Sequence, residues 1–217
     1  MAEIPYRIRR SPRARHVRVS VAARSGVEVV LPSRGTRRDA DAAVARLRPW
    51  IERRLAAVAD VEASLAARAG TVPYLGEPLV LVPQPGRQRV HRRGDTLVVP
   101  DGDPRPALER WYRRAAREEF AARLDRTTAE AGLTYRGLTI RGQRTRWASC
   151  SSSGAMSFNW RLLLAPEPVV DYVVWHEVCH LAVPDHSRRF WALVARHCPD
   201  HREHSAWLRR HGETLVL

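Results

Sequence analysis

Residues 173–191, VVWHEVCHLAVPDHSRRFW, constrain this chain more than any other part of it. His176, Glu177, His180 and His186 stand there in a run that is otherwise largely apolar. Burying such side chains costs free energy unless a partner compensates for the lost hydration. On a helix, histidines four residues apart project from one face, so both imidazoles can ligate one ion. The spacing therefore predicts a helix that carries part of a metal site.

Residues 176–180, HEVCH, match the pattern H-E-x-x-H, in which the glutamate lies beside a zinc ion and acts as general base. With nine histidines in the chain, an accidental match is a roughly one-in-fifty event. The pattern predicts one Zn²⁺ held by His176, His180 and His186, with a fourth position open to water as in catalytic sites. Glu177 would take a proton from that water, which is typical of metal-assisted hydrolysis.

His186 lies six residues after His180, which is also the ligand spacing of metzincins. Val183 stands where that pattern requires glycine, and no methionine follows the motif. The metzincin assignment therefore fails. The letters SRRFW after His186 predict a further helix whose Phe190 and Trp191 pack on the core.

Hydrophobic periodicity predicts a mixed α+β chain. The first half should contain strands at residues 16–23, 27–32, 79–83, 87–92 and 96–100. A helix is expected over residues 36–69, with a break near Pro49 left open. The second half should contain strands at residues 138–143 and 155–160, and helices at residues 107–131, 167–182, from about 187, and 200–211. A polar segment, RTRWASCSSSG, should connect the last two strands.

The net charge of +14 comes from arginine alone, because the sequence contains no lysine. Such a surplus is typical of proteins that bind nucleic acids or phosphate-bearing substrates. A GC-rich genome produces the same composition, and many arginines alternate with Glu and Asp on predicted helix faces, as in residues 110–126. Weak nucleic-acid association through the arginine-rich surface therefore stays open.

The sequence contains no apolar run of the roughly 18 residues that span a bilayer, and its first residues lack the apolar core of a secretory signal. Cys150, Cys179 and Cys198 are odd in number and form no CxxC pair, which indicates reduced thiols. These features predict a cytoplasmic protein without a membrane partner.

The segments RWASCS, PVVDYVVWHEVCHL and DHSRRFW resemble the YgjP-like family of predicted zinc metallopeptidases, which is related to the SprT and Spartan proteases. The resemblance extends over almost the whole chain. It implies that His176, His180 and His186 ligate zinc and that Glu177 is the catalytic base.

Two positions depart from the family pattern, which is approximately RWGSCS and NHSxxFW in these segments. Ala148 replaces the glycine, and Asp185 replaces the asparagine before the third ligand. Neither position is a ligand, although Ala148 could narrow the turn that shapes the cleft.

The resemblance also implies a zincin-like catalytic half, residues 104–217, with the HExxH helix and a small sheet. A β-rich half with one helical segment, residues 1–103, precedes it, and both are expected to pack as one compact unit. In zincin folds the strand before the HExxH helix forms the sheet edge above the metal, where an extended peptide can add as another strand. Residues 155–160 would be that strand.

Arg146, Trp147 and Asn159 would line the substrate cleft, and Arg146 could stabilise an oxyanion. Other roles stay open: a core position for Trp147, a solvated charge for Arg146, and a turn or cap for Asn159. Four further histidines have no ligand spacing with the motif and are expected at the surface, with a second metal site left open: His197, His201, His204 and His211.

The leading hypothesis is a cytoplasmic zinc-dependent hydrolase that acts on peptides or proteins. One alternative keeps the zinc and hydrolyses nucleotides or other phosphoesters. The other is a DNA-associated protein with a structural zinc, as kinship with Spartan, which acts on DNA-bound proteins, suggests. Hydrolysis of casein or of nucleoside triphosphates, and salt-dependent DNA affinity, would separate the three.

Overall fold

The computed structural model describes residues 4–22, 26–143 and 146–217, which fall into two compact units. The first unit ends at Ala67, and the second spans Arg68–Leu217. Helices and small sheets alternate along the chain, so the α+β class is confirmed. Residues 23–25, where the first predicted strand ends, and residues 144–145 of the polar connector lie outside the described residues. Within the described ranges, no helix is long and apolar enough to cross a membrane.

The first unit combines a three-stranded sheet with one long helix. Strands β1 (Tyr6–Arg10), β2 (Arg18–Ala22) and β3 (Gly26–Leu31) lie in the order β1-β3-β2, with β3 parallel to β1 and antiparallel to β2. Helix α1 (Arg37–Ala67) begins after Thr36 because two groups cap each other. The Asp39 carboxylate accepts the Thr36 N–H at 2.8 Å, and the Thr36 hydroxyl accepts the Asp39 N–H at 3.2 Å.

Helix α1 continues through Pro49 without a break. A proline in a helix deprives the carbonyl four residues earlier of its partner. Ala45, which carries that carbonyl, and Pro49 are both exposed, so water can hydrate the freed oxygen. The buried residues of α1 lie toward its beginning, and Ile51 is the last of them.

The second unit begins with a four-stranded sheet. Strands β4 (Thr71–Tyr74), β5 (Glu77–Gln84), β6 (His91–Arg93) and β7 (Thr96–Pro100) lie in the order β4-β5-β7-β6. The strand predicted over residues 87–92 is wrong, since only His91–Arg93 pair with β7. The preceding residues form a turn, in which the Arg87 N–H donates to the Gln84 carbonyl at 3.3 Å.

Helix α2 (Arg105–Ala131) follows and ends where Gly132 adopts a left-handed φ of 65°. Strands β8 (Gly137–Arg141), β9 (Ala148–Cys150) and β10 (Ala155–Asn159) form a second sheet in the order β8-β10-β9. A 3-10 helix at Trp160–Leu164 leads to the remaining helices: α3 (Glu167–His180), α4 (Arg188–His197) and α5 (His201–His211).

The edge of this second sheet is not the predicted strand. Strand β10 is paired on both sides, parallel to β8 and antiparallel to β9. The expectation that residues 155–160 form an edge above the metal is therefore wrong. The edges are β8 and β9, and β9 lies in the segment that was predicted to be a polar connector.

The boundary between the observed units lies after Ala67, whereas the predicted boundary lies between residues 103 and 104. The strands of the first sheet of the second unit share a core with the helices that follow. Leu79 and Leu97 belong to the same buried cluster as Trp111 and Phe158. The HExxH motif and these strands are thus parts of one packed structure.

An ionic cluster fixes the beginning of α3 against α2. Arg123 of α2 is only 5% exposed. Its guanidinium binds the carboxylate of Glu167 at 2.7 Å and that of Asp171, both on α3, and lies 3.6 Å from Glu119. The first turns of α3 are therefore anchored, and its later turns carry the HExxH residues.

Candidate metal centre and its cleft

The three predicted ligands meet at one place. His176 and His180 lie on α3, and the turn after α3 brings His186 back to them; one ring nitrogen from each lies within 4.8 Å of the others. The Nε2 atoms of His176 and His186 are 3.1 Å apart. Two ring nitrogens on a tetrahedral zinc ion would be roughly 3.3 Å apart, for bonds of about 2.0–2.1 Å. In the described part of the chain, no other trio of His, Cys, Asp or Glu side chains converges in this way.

The rings are oriented by groups outside the trio. The Nδ1 atom of His180 lies 3.1 Å from the Val183 carbonyl, which leaves its Nε2 available to an ion. Phe190 is fully buried and packs against all three imidazoles, with its ring 4.3 Å from that of His180. The core position predicted for Phe190 is confirmed. Trp191 also packs against Phe190, with ring centroids 5.1 Å apart, although 36% of its surface is exposed.

The electrostatics of the trio fit a cation. Burial, and then the charges of His180 and His186, lower the pKa of His176 to about 4. Burial also lowers the pKa of His180. Unprotonated imidazoles present lone pairs, as metal ligands must, and imidazole nitrogen suits zinc. The facing Nε2 atoms of His176 and His186 therefore form a donor set that fits a zinc ion.

Glu177 is buried beside the trio, with 6% of its surface exposed. Burial raises the pKa of its carboxyl group to about 7, although the Cys150 N–H and the charge of Arg146 oppose that rise. The N–H of Cys150 donates a hydrogen bond to this carboxylate, so β9 holds it in place. A carboxyl group whose pKa is close to neutrality is suited to accept and return protons.

Two cavities share a wall formed by Ala148, His176 and Glu177. The first, which we call the triad cavity, has a volume of about 510 Å³ and is also lined by His180, His186 and the serine-rich residues 149–152. The second, which we call the Trp147 cavity, has a volume of about 300 Å³. Its other lining residues lie just before β9, on α3 and on α5: Trp147, Tyr172, Val173, Ser205, Leu208 and Arg209.

The predicted substrate-binding residues have different positions. Trp147 lines the cavity named after it. Arg146 is exposed, and its charge acts on the Glu177 carboxyl. The cleft-lining role predicted for Asn159 is not what the structure shows, because Asn159 is 2% exposed and lines neither cavity. Its side chain accepts the Arg161 N–H at 3.1 Å and donates to the Gln143 carbonyl at 2.7 Å, which is a capping role.

Sequence reasoning missed several cleft residues. Tyr172 precedes His176 by four positions, so helical spacing alone places both side chains on one face of α3. The α5 residues of the Trp147 cavity carry no motif, and only the packing of α5 on α3 brings them there. No signal in the sequence identifies them.

The four histidines that follow the motif form no trio in the described ranges. His197 stacks on Trp175, with ring centroids 4.0 Å apart, and His204 lies 6.2 Å from Tyr172. The surface position expected for His201 is wrong, because its residue is 7% exposed. Its Nδ1 atom lies 3.2 Å from the Cys198 carbonyl.

A family model described as YgjP-like, metallopeptidase domain matches residues 15–211. Among solved structures, the crystal structure of the metallopeptidase zymogen of Pyrococcus abyssi abylysin matches with 21% sequence identity and a TM-score of 0.38. That match covers 42% of this chain and 93% of the other chain. No curated protein matches the sequence significantly. The family match includes the histidine trio, Glu177 and every residue that lines the two cavities.

Proposed function

The chain belongs to the YgjP-like metallopeptidase family, and we propose that it is a zinc-dependent peptidase in which Glu177 acts as general base. One observation carries the proposal: three imidazoles converge in the wall of an open cavity, and a buried carboxyl group lies in the same wall. His176, His180 and His186 would hold one zinc ion. A site with three protein ligands and open access is typical of catalytic zinc.

A bound zinc ion lowers the pKa of the water it coordinates to about 7 and polarises a carbonyl group. Glu177 accepts the proton of the attacking water on its carboxylate and passes it to the leaving amine. Its burial favours this exchange, because a carboxyl group with a pKa of about 7 gains and loses protons near neutral pH. The positive charge of Arg146 favours the ionised form of Glu177, and Arg146 is the candidate to stabilise an oxyanion.

Strand β9 offers an edge to which an extended peptide can bind. The Asn159 N–H donates to the Trp147 carbonyl, and the Ser151 N–H donates to the Ala155 carbonyl. Because the direction of the backbone groups alternates along a strand, those of Ala148 and Cys150 point away from β10. The outward N–H of Cys150 already binds Glu177. The outward groups of Ala148, which lines both cavities, can bind a substrate backbone beside the base.

The test compares hydrolysis of casein and of nucleoside triphosphates by the zinc-loaded protein, with and without a chelator and after zinc is restored. We expect zinc-dependent hydrolysis of casein. Replacing Glu177 with Gln should lower it by about 10²- to 10⁴-fold while zinc stays bound, because the proton acceptor is lost. Glu118→Gln, on an exposed position of α2, is the matched control and should leave the rate unchanged.

Two outcomes would contradict the proposal. Hydrolysis of nucleoside triphosphates without hydrolysis of casein would favour a phosphoester hydrolase. Zinc-containing protein that hydrolyses neither but binds DNA with a steep dependence on salt would favour a structural zinc in a DNA-associated protein.

A further inference from the structure

The Trp147 cavity differs in character from the triad cavity, although both adjoin Glu177. Apolar side chains of Trp147, Val173 and Leu208 form much of its lining, whereas serines dominate one side of the triad cavity. Arg209 is the one cationic residue among its lining residues. A single cation beside apolar walls is typical of a pocket that orients one charged group of a ligand.

Arg209 is oriented by a short chain of hydrogen bonds. Its Nη1 atom donates to the Ser205 hydroxyl at 3.3 Å, one helical turn earlier on α5. The Ser205 side chain in turn hydrogen-bonds to the Tyr172 hydroxyl. These contacts hold the guanidinium at the cavity and use only part of its planar set of donors.

Arg209 has no carboxylate partner among the described residues. Arg123, which contacts α3 from α2, is in contrast neutralised by Glu167 and Asp171. An arginine held at a cavity without an acidic partner is available for an anion, and its planar fork matches a carboxylate in particular.

We propose that the Trp147 cavity is the subsite for a residue next to the scissile bond and that Arg209 selects a carboxylate there. The inference rests on the proposed peptidase function. The apolar walls contact the aliphatic part of the substrate residue, and the guanidinium binds its carboxylate. That carboxylate belongs either to an acidic side chain or to the C-terminus of the peptide.

The first experiment measures kcat/KM of the zinc-loaded protein on synthetic peptides built around a mapped cleavage site. The peptides carry Glu or Gln next to the scissile bond, each with a free or an amidated C-terminus. The wild type should prefer one carboxylate-bearing peptide over its uncharged partner by about 10- to 100-fold. A preference for Glu over Gln identifies the side chain, and a preference for acid over amide identifies the C-terminus.

Two neighbouring arginines provide a matched pair of variants. Arg209→Gln should abolish the preference, because kcat/KM on the carboxylate peptide should fall to the value that the same variant shows on the uncharged peptide. Arg210→Gln, at an exposed position that does not line the cavity, should retain the preference. Equal thermal unfolding of both variants excludes a folding defect as the cause. A preference that survives Arg209→Gln would overturn the inference.

A binding measurement separates this inference from the proposed function. In the zinc-loaded Glu177→Gln background, fluorescence anisotropy should show tighter binding of the carboxylate peptide than of its uncharged partner. Adding Arg209→Gln should remove that difference, and adding Arg210→Gln should not. Arg209-dependent binding without any cleavage by the wild type supports the subsite and contradicts the peptidase. Cleavage with no Arg209-dependent difference supports the peptidase and contradicts the subsite.

Discussion

The two units of the chain bury different kinds of side chain. The core of the first unit is aliphatic, with Val29, Leu31 and Ile51 fully buried. In the described ranges, every buried polar or charged residue lies in the second unit: Arg123, Thr127, Thr128, Asn159, Glu177 and His201. Burying such groups is costly unless each has a partner, so their concentration in one unit indicates where the chain departs from simple packing.

Several buried polar residues of the second unit lie on α2 and α5, the elements that pack against the HExxH helix. Arg123 anchors its beginning, and the Cys150 N–H holds Glu177 near its end. The first unit shows ion pairs as well, but they lie at its surface, as between Arg9 and Glu28. The proposed metal binding and proton transfer both involve residues of the second unit, so the stability of each unit can be tested separately.

The largest effect should follow removal of the metal. A chelator should abolish peptide hydrolysis and lower the thermal stability of the second unit, because the metal binds only its folded trio. A ligand at 100 times its dissociation constant stabilises the folded state by about 2.7 kcal/mol. Calorimetry should show that the unfolding transition of the second unit moves to lower temperature with chelator and returns when zinc is added. The transition of the first unit should stay unchanged. A shift of both transitions would contradict the assignment of the metal to one unit.

A core substitution in the first unit should lower the stability of that unit without changing the proposed metal site. Ile51→Ala removes a fully buried side chain of α1 and should destabilise that unit by about 2–5 kcal/mol. Chemical denaturation followed by circular dichroism measures the loss. Zinc content and kcat/KM should remain those of the wild type at temperatures where the unit stays folded. Loss of zinc from this variant would show that the site depends on both units.

The Arg123 cluster should have an intermediate effect. Arg123→Met leaves three carboxylates without their cation, but these carboxylates are partly exposed, so we expect a loss of about 1–3 kcal/mol in the second unit. Arg126→Met is the control, because Arg126 is 65% exposed and 3.8 Å from Asp171. It should cost less than about 0.5 kcal/mol. Equal losses in urea denaturation would contradict the anchoring role of Arg123.

The smallest effect concerns the shape of the Trp147 cavity. A Cβ atom added at Gly212 would lie 2.8 Å from Cζ2 of Trp147, so Gly212→Ala must displace the indole. Such overpacking costs about 1–3 kcal/mol at most sites, and less where the side chain can move outward. We expect a larger change in KM than in kcat and a shifted tryptophan emission. Ala206→Gly, within α5, is the control for a change of one methyl group.

The sequence was sufficient to predict α3, which bears the HExxH motif, and α5, which packs against it. The helix predicted over residues 167–182 corresponds to Glu167–His180, and that over residues 200–211 corresponds to His201–His211. The spacing of His176 and His180 also predicts their shared face, because helical periodicity is a local property. The meeting of His186 with them follows from the short turn through Pro184.

Features that depend on tertiary packing could not be predicted in this way. Strand β9 has three residues, Ala-Ser-Cys, with no β-branched side chain, and only its pairing with β10 makes it a strand. The position of Asn159 in the sequence pattern suggests a cleft residue, but its side chain is buried and caps the following 3-10 helix by accepting the Arg161 N–H. Arg209 and Trp147 are more than sixty positions apart, so no local pattern places them at one cavity.

The coordination of the metal tests the central claim most directly. X-ray absorption spectroscopy of the zinc-loaded protein should show about three imidazole nitrogens at about 2.0–2.1 Å and an oxygen in the remaining position. His180→Ala should lose one of these nitrogens or the zinc itself. A sulfur ligand at about 2.3 Å, or four protein ligands with no oxygen, would contradict an open catalytic site on His176, His180 and His186.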